Sequence, residues 1–259
     1  MLRLATAPAA AAGFALDAEA LDGQVVLVTG ATGAVGRAAA LACARAGATV
    51  VLLGRHVRAL DGVYDAIKAE DLAEPALYPL NLEGATPDDY NVLAETLERE
   101  CGRLDAIVHT AAHFSGLTAT EHAAPEQWLI SMHVNVNAPW ALTRACLPLL
   151  RRSERASVLF MLDDPERVGR ALWGGYGASK HALAGVLASL ADEYDTTPVR
   201  FFGLLPAPIR SRLRQLAFVA EHPAGLATPD QAGAAAAWLI ADPTALPTGT
   251  TLDLRGKAA

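Results

Sequence analysis

From Gln24 onward, short apolar runs alternate with longer stretches of mixed polarity. QVVLVT (24–29), TVVLLG (49–54), ALYPL (76–80) and DAIVHT (105–110) are followed by ASVLFML (156–162), VRFFGLL (199–205) and TTLDLR (250–255). These runs are continuously apolar rather than alternating, which predicts strands covered on both faces. The stretches between them, including 30–48, 58–72, 88–102, 122–150 and 177–195, have helical spacing. Strands alternating with helices predict βαβ units. The expected fold is α/β, a single doubly wound parallel sheet of about seven strands with helices on both faces, the Rossmann fold. It should span 21–259 as one domain, opening near Leu21. Pro125 should start the long middle helix and Pro139 should mark an irregularity within it.

Residues 1–16, MLRLATAPAAAAGFAL, faintly resemble a secretory signal. The positive region is thin and Pro8 with the alanine block interrupts any apolar centre, so a flexible leader over 1–20 is expected instead.

Composition narrows the function. Of 259 residues, 52% are hydrophobic and 19% charged, with a net charge of −7, which supplies a deep core and excludes intrinsic disorder. The acidic balance and the lack of a Lys/Arg run argue against a nucleic-acid partner. No apolar run reaches the ~18 residues of a membrane-spanning helix. Cys43, Cys101 and Cys146 are widely spaced and odd in number, which fits reduced thiols and a cytoplasmic location. The histidines lack paired ligand spacing, so no metal site is expected.

Two constellations carry chemistry. The first strand runs directly into Thr29-Gly30-Ala31-Thr32-Gly33-Ala34-Val35-Gly36-Arg37. Gly30 permits a tight turn, Gly33 a close backbone approach to a diphosphate, and Gly36 close helix–strand packing, with Thr32 and Val35 lining the same loop. Amide groups at the helix start then hold the anion. After the second strand the chain has Gly54-Arg55, with no acid to hold a ribose 2′-hydroxyl and a guanidinium suited to a 2′-phosphate. NADP(H) is therefore favoured over NAD(H), the alternative being that Arg55 is a solvated strand-end charge.

The second constellation is Tyr176-Gly177-Ala178-Ser179-Lys180. A spacing of four puts both side chains on one helix face. An ammonium beside the phenol would lower its pKa and equip Tyr176 to exchange a proton with a substrate oxygen.

Together these motifs resemble the short-chain dehydrogenase/reductase family, over about 22–254, with WGGYGASK and VNVNA particularly similar to its YciK-type branch. LDAIVHTAA (104–112) looks like the family's fourth strand, HVNVNAPWALTRACLPLL (133–150) like its asparagine helix, and LLPAPIRS (204–211) like its proline-glycine loop. The resemblance implies an oxidoreductase moving hydride between nicotinamide and a small carbonyl or alcohol. Tyr176 would be the general acid/base, and Lys180 would lower its pKa and bond the nicotinamide ribose. Asn135 would hold a water linking Lys180 to solvent. Asn81 and Leu82 would flank the adenine, Ala111 the cofactor ribose, and Pro206 and Ile209 the cofactor from the loop. A homodimer or homotetramer is expected, with small residues on the tyrosine helix (Ala178, Ala182, Gly185, Ser189) allowing close helix approach.

The sequence departs from the pattern at several positions. Asp163 stands thirteen residues before Tyr176, where the family has its catalytic serine. An ionised carboxylate there would repel the developing negative charge and raise the pKa of Tyr176. Asp163 could be protonated and donate a hydrogen bond, could bind a cationic substrate group, or could mark a degenerate protein that binds dinucleotide as a sensor or scaffold. Ala34, Asn81, His109-Thr110-Ala111-Ala112 and Ala207 replace other family residues. The stretch Ile209–Leu226 corresponds to the substrate lid, and its Arg210, Arg212 and Arg214 hint at an acidic substrate, with solvated charges the favoured expectation. His113 is expected as a hydrogen-bonded pocket histidine, and His181 to point away from the active face.

Overall fold

The computed structural model describes residues 3–6 and 14–256. Its strands are β1 (Arg3–Thr6), β2 (Val25–Thr29), β3 (Thr49–Gly54), β4 (Ala76–Pro79), β5 (Ala106–His109), β6 (Ala156–Met161), β7 (Val199–Leu205) and β8 (Thr250–Asp253). All pair in parallel in one sheet, ordered β1-β8-β7-β6-β5-β2-β3-β4. The helices are α1 (Ala34–Arg45), α2 (Val57–Lys68), α3 (Pro87–Cys101), α4 (Pro125–Met132), α5 (Ala138–Leu150), α6 (Pro165–Val168), α7 (Gly174–Glu193), α8 (Arg212–Ala217) and α9 (Asp230–Ala241).

Burial on both faces explains the unbroken apolar strands. Within β2, Val26 and Val28 enter the core layer shared with α1, α2 and α9. Val25 and Leu27 enter the opposite layer, shared with α3, α5 and α7. Each such side chain contributes roughly 1.5–3 kcal/mol by leaving water. The chain crosses from one side of β2 to the other between β4 and β5, so a crevice opens beside β2 at the carboxyl ends of the strands.

The expected strands are all present, and an eighth, β1, corrects the expected leader. Arg3–Thr6 pair in register with Thr250–Asp253, and Phe14 is buried with its ring 5.7 Å from that of Trp238. The physical reason is the backbone of β8, whose outer edge β1 covers. Four residues in an alanine-rich stretch carry too little pattern to predict this. Residues 1–2 and 7–13 of the expected leader lie outside the described residues.

The middle helix starts at Pro125 and has a π-helical turn, His133–Asn137, between α4 and α5. Pro139 has no N–H to offer the carbonyl of Asn135 four residues back. The amide of Ala138 bonds instead to the carbonyl of His133.

Candidate active site

A cavity of about 640 Å³ occupies the crevice, and every site residue expected from sequence except Asn135 lines it. Its floor at one end is the β2–α1 turn. Gly30 has φ +63°, and a Cβ on it would lie 2.7 Å from the Cα of Ala111. A Cβ on Gly36 would lie 2.2 Å from the carbonyl oxygen of Gly30 and 2.6 Å from Oγ1 of Thr110. Thr110 locks the turn by donating to the carbonyl of Thr29 at 2.6 Å. Gly33 caps α1 without a side-chain bond to the first turn, so Thr32, Ala34 and Val35 edge a helix start whose amides face the crevice. These features fit a pyrophosphate, because backbone can approach only where side chains are absent.

Arg55, at the end of β3, is half-exposed and pairs with Glu83 at 2.8 Å. Asn81 accepts from the amide of Glu83, and the nearly buried Leu82 follows it along the wall. Pro206 and Ile209 close the far side, Ile209 bridging to Ala227.

Tyr176 and Lys180 rise from the first turns of α7, both buried. The Tyr176 hydroxyl donates to Oδ2 of Asp163 at 2.7 Å, and Nζ of Lys180 donates to the carbonyl of Met161 at 2.7 Å. Nζ lies 5.6 Å from the Tyr176 ring centre. The expected lowering of the tyrosine pKa is corrected. Burial, and then the Asp163 carboxylate, push the phenol well above its usual range. Burial brings Lys180 down to about 8 against the opposing pull of Asp163.

Asp163 is surrounded by hydrogen-bond donors. Its oxygens accept from Tyr176, from the amide of Asp164 at 2.7 Å and from the guanidinium of Arg167. Its cationic partner in this structure is Arg167 of its own chain. Arg167 was missed from sequence, although the spacing of four from Asp163 was its signal once α6 turns there.

Asn135 sits behind the site in the π-helical turn. Its Oδ1 accepts from the amide of His113 at 2.7 Å, while Nδ2 donates to the carbonyl of His113 and to Oγ of Ser179. Ser179 in turn donates to the carbonyl of Tyr176 at 2.7 Å. The Asn135 side chain is thus committed to positioning the His113 loop and α7. Ser179 was the unrecognised member of this network. His113 is the expected hydrogen-bonded pocket histidine, 2.9 Å from Gln127. His181 bonds back to the carbonyl of Gly177 and borders a second, smaller cavity of about 110 Å³.

Among the lid arginines, Arg210 and Arg212 are exposed as expected, and Arg214 is a correction. Arg214 makes a two-point pair with Glu221, and its side chain is only 14% exposed. The turn into α8 folds it against Phe218 instead of leaving it in water. No group of histidine, cysteine and acid side chains among the described residues could hold a metal. No helix among them is long and apolar enough to cross a membrane.

Comparison with known proteins agrees with this geometry. Residues 24–221 match the family model for short chain dehydrogenase. The chain belongs to the short chain dehydrogenases. This dehydrogenase is 38% identical to the uncharacterized oxidoreductase YciK of Escherichia coli (strain K12) over 233 residues, 90% of this chain and 92% of that one. A structure from Pseudomonas syringae is 41% identical, with a TM-score of 0.86 over 92% of this dehydrogenase and 98% of its own chain. A Shigella flexneri 2a structure complexed with NADP is 37% identical, with a TM-score of 0.87 over 92% of this chain and 99% of its own. The dehydrogenase is accordingly an oxidoreductase of a family with Rossmann-type architecture.

Proposed function

We propose that this short chain dehydrogenase transfers hydride between NADP(H) and a small carbonyl or alcohol substrate, with Tyr176 as the general acid/base. The observation that carries the reading is that Tyr176 and Lys180 share one cavity with the glycine turn of Gly30, Gly33 and Gly36. When bound, the nicotinamide supplies the hydride or takes it up.

The chain's own residues supply the rest. The side-chain-free turn and the α1 amides hold the diphosphate. Asn81, Leu82 and Ala111 support the adenosine and ribose parts, and Pro206 and Ile209 hold the other end. Arg55 takes the 2′-phosphate by a charge-assisted pair, turning away from Glu83 to do so. The NADP complex of the Shigella flexneri relative supports this choice over NAD(H). Lys180 changes acceptor from the Met161 carbonyl to the nicotinamide ribose. Tyr176 exchanges a proton with the substrate oxygen once its hydroxyl is released from Asp163. Titrating NADPH by its fluorescence and following its consumption with a carbonyl panel tests the reading. Absence of both binding and consumption would refute it.

The bond from Tyr176 to Asp163 favours a second reading, a dinucleotide-binding sensor or scaffold without turnover. NADPH binding without consumption by any carbonyl, combined with activity gained in Asp163→Ser, would select it.

A homodimer or homotetramer is also proposed. Trp128 and Leu129 of α4 and Trp140 of α5 are exposed, as are Gly185 and Ser189 of α7. Light scattering on the purified protein tests this, and a monomer would exclude it.

A further inference from the structure

The tyrosine end of the cleft holds more cationic groups than proton exchange at Tyr176 uses. Arg167 of α6 and Arg212 and Arg214 of α8 line the same cavity as Tyr176 and Lys180, whose lining acids are Asp163 and, beside Arg55, Glu83. Leu213 and Phe218 pack against the cluster containing Tyr176 and Trp173, so α8 lies over this end and not over the glycine turn. The positive charge is local, since the chain as a whole carries −7. A cleft lined by one sign of charge concentrates ligands of the other.

Two of these arginines are not solvated charges. The side chains of Arg167 and Arg214 are 26% and 14% exposed. Arg167 reaches Asp163 through Nη2 and lies 5.9 Å from the ring centre of Trp173. Arg214 engages Glu221 through Nε and Nη2 and lies 4.2 Å from the ring centre of Phe218. Nε of Arg167 and Nη1 of Arg214 are buried and lack a hydrogen-bond acceptor among the described residues. A buried donor without an acceptor costs about 1–3 kcal/mol, which an incoming acceptor recovers after a small side-chain shift. Phe114, Trp173, Leu213 and Phe218 make the neighbouring surface apolar.

We propose that the substrate carries a carboxylate on an apolar body, recognised by Arg167 together with Arg212 and Arg214. The proposal rests on the assignment of Tyr176 as acid/base above, and adds the substrate class. The planar guanidinium fork matches a planar carboxylate in two-point pairing. The aromatic wall holds the rest of the molecule with its carbonyl or hydroxyl at Tyr176. Arg167 thereby becomes a specificity-determining residue, with Asp163 holding its guanidinium in place.

Calorimetry on the NADPH-loaded protein tests this, using levulinate and benzoylpropionate, each beside its methyl ester, and dihydroxyacetone phosphate as a phosphate-bearing carbonyl. NADPH consumption is followed in parallel. At least one acid should bind about tenfold more tightly than its ester, a difference of about 1.4 kcal/mol. Arg167→Gln should abolish that preference, and Arg167→Lys should retain part of it, the loss falling on KM rather than kcat. Because Arg167 also pairs with Asp163, thermal melts check folding. Arg212→Ala, at an exposed residue, should weaken the same preference without touching that pair. Esters binding as well as acids, tighter binding of dihydroxyacetone phosphate, or a preference surviving in folded Arg167→Gln would overturn the proposal. If esters are consumed as readily as acids, the carboxylate site fails and the oxidoreductase reading stands. If acids bind selectively but nothing is consumed, the site stands and the reading of Tyr176 fails.

Discussion

The hydroxyl of Tyr176 donates to Asp163 at 2.7 Å, directing the proton of the candidate acid away from any substrate oxygen. Burial and this carboxylate together hold the phenol above its usual range. Replacing Asp163 by Ser removes the charge and leaves a hydroxyl donor. Tyr176 should then ionise at lower pH, seen as tyrosinate absorbance appearing earlier in a titration against a Tyr176→Phe blank. Carbonyl reduction should rise by about tenfold or more, the scale on which a donor to a developing oxyanion acts. An unchanged titration would remove Asp163 as the cause.

Gly36 is fixed by contact rather than by its own torsions, because a Cβ would meet the Gly30 carbonyl at 2.2 Å. Gly36→Val should push α1 away from β2, lowering stability by about 1–3 kcal/mol in urea unfolding. NADPH binding should be lost even where the variant remains folded.

Arg55 faces the cleft while paired to the part-exposed Glu83. Arg55→Ala should weaken NADPH by about tenfold and leave NADH nearly unchanged, since the 2′-phosphate alone distinguishes them. Equal weakening of both would place the 2′-phosphate elsewhere.

The parts of this molecule that were legible in its sequence are those decided by short-range pattern. β2, β3 and β7 stand out because both faces of each are buried, so their apolar runs are almost unbroken, with Arg200 the one charged residue among them. The glycine turn was legible because its close backbone contacts require missing side chains at fixed intervals. Asp163 was visible as a departure, but its partner was not, because Arg167 reaches it only after α6 has formed its turn. Arg214 read as a surface charge for a similar reason. Its burial depends on Glu221 and Phe218, brought back by the chain after α8.

His109 is buried, stacked on Phe160 and bonded to Thr143 at 2.9 Å. Burial lowers its pKa from 6.5 to about 3. Between those values the unfolded chain binds the proton and the native state does not, so stability falls as pH drops through that window. The contribution is fully present above pH 6.5 and declines by up to about 1.4 kcal/mol per pH unit below it. Urea midpoints across this range should fall less steeply for His109→Gln, which keeps a partner for Thr143 without titrating.

Pro139 leaves the carbonyl of Asn135 without its usual helical donor. Pro139→Ala restores an N–H and should let α4 and α5 relax towards one continuous helix. Asn135 would then lose its bonds to His113 and Ser179, which hold the cleft wall to α7. Melting temperature should stay level or rise while turnover falls by about tenfold or more, the scale on which small misplacements of a reactive group act.

The pairing of β1 with β8 also dictates an order of events at the ribosome. Arg3–Thr6 are synthesised long before Thr250–Asp253, yet those residues are their partners in the sheet. Until Thr250–Asp253 have been made, the early segment lacks its partner strand, and its docking is among the most non-local steps the chain must complete. The outer edge of β8, and the small cavity that Leu4 lines with Asp163 and Lys180, therefore stay open until that long-range pairing is made.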